Sequence, residues 1–152
     1  MIHEEWIRSL LVNRSDLTRQ QLEQTRDAMN QAFPDASVRG FESLIPTLVL
    51  PDIDDRHVLA AAIHARADLV ITVNLKDFPP PALVPHTIEA IHPDYFVDYL
   101  IDLDEDEAFA AVAKMRSRLR TPSMTAKEFI ESIERIGMPL TSSRLRNNAT
   151  RI

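Results

Sequence analysis

The chain contains no cysteine, which excludes a disulfide framework, a cysteine-ligated zinc and thiol catalysis. Glycine is almost as scarce, with Gly40 and Gly137 the only two, against ten prolines. A phosphate cradle needs several glycines close together, so neither a P-loop nor a dinucleotide fingerprint is available. No apolar run approaches the ~20 residues that span a bilayer, and Met1-Ile2-His3-Glu4-Glu5 lacks the charge pattern of a signal peptide. These absences predict a soluble, cytoplasmic protein with no membrane association. At 152 residues the length suits one domain with an appendage.

The formal net charge of −6 argues against nucleic-acid binding, but the charge is unevenly placed. Residues 1–113 carry 20 acids and 8 Lys or Arg, whereas residues 114–152 carry 3 acids and 9 Lys or Arg. A basic end beside an acidic body either tracks phosphates or docks on the body. Lys114, Arg116, Arg118 and Arg120 alternate along the chain, which on a helix fans them around the axis. That run suits a solvated helix end, where cations complement the dipole, or phosphate contact together with Arg144 and Arg146.

Periodicity predicts helices over residues 2–12, with Trp6, Ile7, Leu10 and Leu11 on one face, and 18–33, with a stripe of Leu22, Thr25, Met29 and Phe33. Thr18 followed by Gln21 is a capping-box signature for the second. Residues 36–39 are a candidate strand and 42–44 a turn of helix. After a helix ending near Arg66, the β-branched run 69–73 reads as a strand buried on both faces of a parallel sheet. Pro79-Pro80-Pro81 forces an extended loop, and 87–91 is a further strand candidate. From Pro93 onward every segment reads as helix. Tyr95, Phe96, Tyr99 and Leu100 form one face, and Phe109, Val112, Met115 and Leu119 another. Thr125 and Glu128 open a helix that stops at Gly137. The aromatic cluster at 95–99 reads as core or a groove for a partner helix.

The chemistry-bearing stretch is Leu50-Pro51-Asp52-Ile53-Asp54-Asp55, which opens the helix Arg56-His57-Val58-Leu59-Ala60-Ala61-Ala62, followed by Leu69-Val70-Ile71-Thr72-Val73-Asn74-Leu75-Lys76-Asp77-Phe78. Acids at a helix N-terminus and beyond a parallel strand's C-terminal end converge on the crevice where open α/β sheets bind ligands. A hard divalent cation suits such a crevice. On spacing alone Asp55 reads first as a helix cap or first-turn acid, Asp52 and Asp54 as loop or capping residues, and Glu4 and Glu5 as first-turn acids. His57 and His64 have no third ligand at metalloprotease spacing, so they read as surface or hydrogen-bonded histidines and zinc is not expected.

Asp55-Arg56-His57-Val58-Leu59-Ala60-Ala61-Ala62 resembles the "D-x-x-[IVL]-[AL]-A-x-A" helix of PIN domains, and Val70 to Phe78 resembles the strand and loop "V-[TV]-x-N-x-x-D-F" that follows it. Glu5 is similarly placed to the acid of the family's "E-E-x-x-x-x-L" helix. The resemblance spans roughly residues 2–92, and the helices beyond are similar to the C-terminal extension of a subgroup of VapC-type toxins. It implies a PIN-like α/β fold, a parallel sheet flanked by helices, over residues 1–92 and a helical extension over 93–152. It further implies a Mg²⁺- or Mn²⁺-dependent endoribonuclease, commonly the toxin of a toxin–antitoxin pair. RNA would be its substrate, an antitoxin its partner, and a homodimer one possible assembly. Carried over by residue, Glu5, Asp55 and Asp77 are the implied catalytic acids, Glu5, Asp55, Asn74 and Asp77 the metal ligands, and Thr72, Asn74, Arg116 and Arg118 the substrate contacts. Asn74 and Asp77 compete for the fourth acidic position.

The family's opening strand, which ends in its first acid, has no counterpart before residue 2. The expectation is a fold lacking that strand, through either a start at an internal methionine or a truncation. A second function follows from it, a catalytically inactive remnant acting as a protein-binding module.

Overall fold

The computed structural model describes residues 2–120 and 122–152. Helices dominate, with one two-stranded parallel sheet among the described residues. The elements are α1 (Ile2–Asn13), α2 (Arg19–Ala32), α3 (Arg56–Ala65), β1 (Leu69–Ile71), α4 (Pro80–Leu83), β2 (Glu89–Ile91), α5 (Pro93–Leu103), α6 (Glu105–Ser117), α7 (Ala126–Arg135) and α8 (Pro139–Asn147). The chain forms two compact units, residues 1–70 with 76–89, and residues 71–75 with 90–152.

In the first unit, Thr18 caps α2 in a complete capping box with Gln21, as the sequence predicts. Glu4 reaches across from α1 to Arg19 and Arg26 of α2 at 3.2 and 3.7 Å. Ile7 and Leu22 are buried, but Met29 and Phe33 are 49% and 70% exposed, so the apolar stripe expected along α2 goes under cover only at its first residue. Residues 36–39 do not form the expected strand. Pro34–Ala36 is instead a 3-10 turn, which the fixed φ of proline at its first position favours. A longer 3-10 helix, Glu42–Thr47, packs on α3. Arg66 closes α3 in the left-handed region at φ 53°.

The strands correct the sequence reading in two ways. β1 is not buried on both faces: Val70 is covered, but Leu69 and Ile71 are 37% and 46% exposed. β2 begins at Glu89 rather than at residue 87, because Thr87 sits at φ 60°, which no strand accommodates. Pairing is visible in the Glu89 N–H donated to the Asp68 carbonyl and the Thr72 N–H donated to the Ile91 carbonyl, each at 3.0 Å.

The second unit has a core of Ile101, Phe109, Phe129, Ile130, Leu145 and Ile152. Thr125 and Glu128 cap α7 reciprocally, and Gly137 follows its C-terminal turn at φ 88°. Tyr95 and Tyr99 are not core: they lie 60% and 62% exposed on the outer face of α5. What ties α5 to α8 is Asp94, 3% exposed, whose carboxylate accepts the Leu140 and Thr141 backbone N–H groups at 2.8 Å each. Arg144 of α8 returns the contact through its Nε–H to Asp98 at 2.8 Å. Several arginines of the basic stretch 114–152 pair with acids of the same unit: Arg146 with Glu134, and Arg151 with Glu105 and Asp106 while lying over the Phe109 ring.

Burial opposes the charge on Asp94, but the Thr141 and Leu140 N–H groups, with His92 nearby, outweigh it and hold the carboxyl below its ordinary range. A carboxyl depressed in the folded state stabilises fully above its unfolded pKa of ~3.9 and loses that contribution as pH falls through the folded value. Asp94→Ala leaves two helix N–H groups buried without an acceptor and is expected to cost about 2–4 kcal/mol at pH 7 in urea unfolding. The difference from the parent chain should shrink in acid below pH ~3.9. An equal loss at acid and neutral pH would show that the carboxylate charge is not what joins these helices.

Candidate metal centre

The acids singled out in the sequence converge within the first unit. Asp55 occupies the N-cap position of α3 but its side chain makes no capping hydrogen bond, so the carboxylate is not committed to the helix. It lies instead with Asp52 and Asp77, one carboxylate oxygen of each falling within 4.8 Å of the other two. Asp77 ends the 3-10 turn Leu75–Asp77 and is the most enclosed of the three. Asp52 was expected to serve only as a loop or capping residue. Its Oδ1 does accept the Asp54 backbone N–H at 2.8 Å, an Asx turn, and the same turn aims the carboxylate at Asp55. The three-residue spacing Asp52-x-x-Asp55 across a helix start was the available signal.

Burial pushes the Asp55 carboxyl up, and the charges of Asp52, Asp77 and Glu5 push it further, while His57 works in the opposite sense. Glu5 thus belongs to the same electrostatic neighbourhood, reaching it from α1. Its Oε2 lies 3.0 Å from Nε2 of His57, whose Nδ1 is 2.6 Å from the Asp54 carbonyl. His57, which the sequence offers as a surface or hydrogen-bonded histidine, is buried and hydrogen-bonded. Its position two residues after Asp55 was visible, but its burial was not.

The other expected site residues fall in the second unit. The Thr72 hydroxyl accepts the Asn74 backbone N–H at 3.0 Å, closing a local turn. Arg116 donates to the Met124 and Ile152 carbonyls at 3.0 and 3.2 Å, clasping the end of the chain, while Arg118 is exposed at the C-terminus of α6.

The donor set suits a hard divalent cation: several carboxylate oxygens, no thiol, and like charges close enough that an ion between them relieves their repulsion. Two comparisons bear on it. Residues 93–147 match the family model of the VapC50 C-terminal domain. A stretch of 79 residues, 52% of this chain, is 40% identical to a Mycobacterium tuberculosis protein described as "Putative ribonuclease VapC50". The match covers 47% of that relative, so the chain spans about half the length of the curated protein it resembles. No solved structure matches significantly. The two likenesses support a VapC-type family.

A carboxyl raised in the folded state means that the folded chain binds more protons than the unfolded one between the two pKa values, so stability falls as pH rises through that window. In metal-free buffer at pH 7, Asp55→Asn is therefore expected to raise the melting midpoint by about 1–3 °C. A lowered midpoint would show that Asp55 supports the fold rather than straining it.

Proposed function

We propose that the chain acts as a metal-dependent endoribonuclease of the PIN type, and that it is the toxin of a toxin–antitoxin pair. The observation that carries this reading is the convergence of Asp52, Asp55 and Asp77, with Glu5 beside them, on residues that resemble the PIN acidic motifs. The likeness to a protein described as a ribonuclease supports the same reaction class.

Asp52, Asp55 and Asp77 would hold the ion, Mg²⁺ or Mn²⁺. When bound, it supplies Lewis-acid polarisation of the scissile phosphoryl group and lowers the pKa of a coordinated water. The chain's own contribution is positional. The Asx turn fixes Asp52, the start of α3 presents Asp55, and the turn after β1 presents Asp77. The fixed negative charge repels RNA unless a cation is present, which makes metal binding a precondition for approach of the substrate. Thr72, Asn74 and Arg118 remain the proposed substrate contacts. The cognate antitoxin would be a small protein offering Arg or Lys to the carboxylates.

A second reading, an inactive protein-binding module, is favoured by the outer residues of the segment that continues β1. Ile71, Val73 and Leu75 are 46%, 69% and 42% exposed, and apolar side chains left uncovered together offer a surface for association.

Purified chain is expected to cleave single-stranded RNA with Mg²⁺ or Mn²⁺ and not with EDTA, and Asp55→Asn should reduce the rate at least about 10²-fold, the scale set by losing one charge-stabilising group. Mn²⁺ at about 100 times its Kd should stabilise the parent chain by about 2.7 kcal/mol and leave Asp55→Asn nearly unmoved. A folded, Mn²⁺-binding chain with no cleavage would turn the assignment to the binding module. Light scattering then reads self-association, which Val73→Lys should abolish; a monomer before and after the substitution would dismiss the module as well.

A further inference from the structure

Nine Lys or Arg fall in residues 114–152, and the structure divides them. Arg144, Arg146 and Arg151 pair with acids of their own unit, Lys127 faces Glu131 one helical turn on, and Arg116 is turned inward to carbonyls. Arg135 is exposed beside Glu134 on α7. Lys114, Arg118 and Arg120 differ: all three are exposed, and none has an acid partner among the described residues. Their surroundings in sequence hold no carboxylate, since no Asp or Glu lies between Glu107 and Glu128.

The helix dipole accounts for only part of this grouping. It amounts to about half a charge at the C-terminal turn, whereas Arg118 and Arg120 both follow Ser117, the last residue of α6. Arg116 explains how the cations are displayed. Its guanidinium donates to the Met124 carbonyl at 3.0 Å and to the Ile152 carbonyl at 3.2 Å, which ties the start of the connection between α6 and α7 to its end. The loop carrying Arg118 and Arg120 is thereby closed at both ends, and a closed loop has less freedom to lose when a ligand binds.

We propose that the end of α6 and the loop after it hold the phosphate backbone of RNA through Lys114, Arg118 and Arg120. This rests on the ribonuclease reading above and gives the second unit, which contains none of Asp52, Asp55 and Asp77, the role of binding the strand. Contact of this kind is indifferent to base sequence and sensitive to salt. An anionic membrane fits less well. Met115 and Leu119 are exposed among the cations, but α6 ends at Ser117, so no long amphipathic helix lies there to rest on a bilayer.

The test is fluorescence anisotropy of a fluorescein-labelled oligouridylate titrated with the full chain in EDTA. Without metal the acid cluster repels RNA, so the affinity that remains belongs to the rest of the chain. Each phosphate neutralised on a single strand contributes about −0.7 to the slope of log K against log salt, so three contacts give a slope of about −2 or steeper. Affinity should then fall about 20-fold or more between about 50 and 200 mM salt. Lys114→Gln, Arg118→Gln and Arg120→Gln together should make the slope shallower by about 2, and each alone by about 0.7. The same loss of charge in the first unit, by Arg8→Gln, Arg14→Gln and Arg19→Gln, should leave the slope unchanged. An unchanged slope in the Lys114, Arg118 and Arg120 variant overturns the proposal, and so does an equal change in the first-unit variant. No binding by the parent chain, an arm that needs no substitution, overturns it as well. Tighter binding of the parent chain to phosphatidylserine vesicles than to the RNA would assign the cations to a membrane instead. Failure of the ribonuclease reading shows separately, as RNA that is bound in EDTA and stays intact when Mn²⁺ is added, which leaves the phosphate contact standing.

Discussion

Mutual repulsion among carboxylates is the constraint from which the first unit is best understood. Asp52, Asp55 and Asp77 are brought within 4.8 Å of one another, and Glu5 adds its charge to Asp55 from another helix. Left alone, such a group would spread into water. It is held by local geometry: an Asx turn that the Asp52 carboxylate itself closes, a helix start at Asp55 and a 3-10 turn at Asp77. Local geometry with low conformational freedom is what lets an unfavourable electrostatic arrangement persist, as functional sites require.

In the second unit charges of both signs occur, and several of the arginines of the basic stretch 114–152 pair with acids of the same unit. Arg144 bridges α8 to Asp98 on α5, Arg146 takes Glu134, and Arg151 takes Glu105 and Asp106 while covering Phe109. Exposed pairs of this kind contribute little each. The buried Asp94 carboxylate, with two N–H groups of α8 in hand, is the stronger tie. Read as sequence, the basic stretch leaves three partners open: solvent at a helix end, phosphate, or the acidic body of the chain. Read as structure, most of its guanidinium groups point to the unit's own acids and carbonyls.

What was legible in the sequence was what is decided within a few residues. Both capping boxes, Thr18 with Gln21 and Thr125 with Glu128, form as their spacing dictates, and Gly137 takes the positive φ that ends α7. The grouping of Asp55 with Asp77 was legible through motif resemblance, whereas the inclusion of Asp52 depended on a turn whose side chain serves two purposes. Long-range facts were not legible. Nothing near Arg116 announces that it will bond Ile152, 36 residues away, and nothing in an unbroken β-branched run says that Leu69 and Ile71 will stay exposed. That Tyr95 and Tyr99 lie outside the core was hidden for the same reason, because helical periodicity gives a face but not what covers it.

The division of the chain carries a consequence for its synthesis. Residues 71–75 belong with residues 90–152, although the residues on either side of them, up to Val70 and from Lys76 to Glu89, belong to the other unit. On the ribosome this short segment emerges long before the helices it groups with. At ~5–20 residues per second the wait for the last of them is on the order of several seconds. During that interval Ile71, Val73 and Leu75, which alternate with Thr72 and Asn74, are nascent chain without the residues they group with.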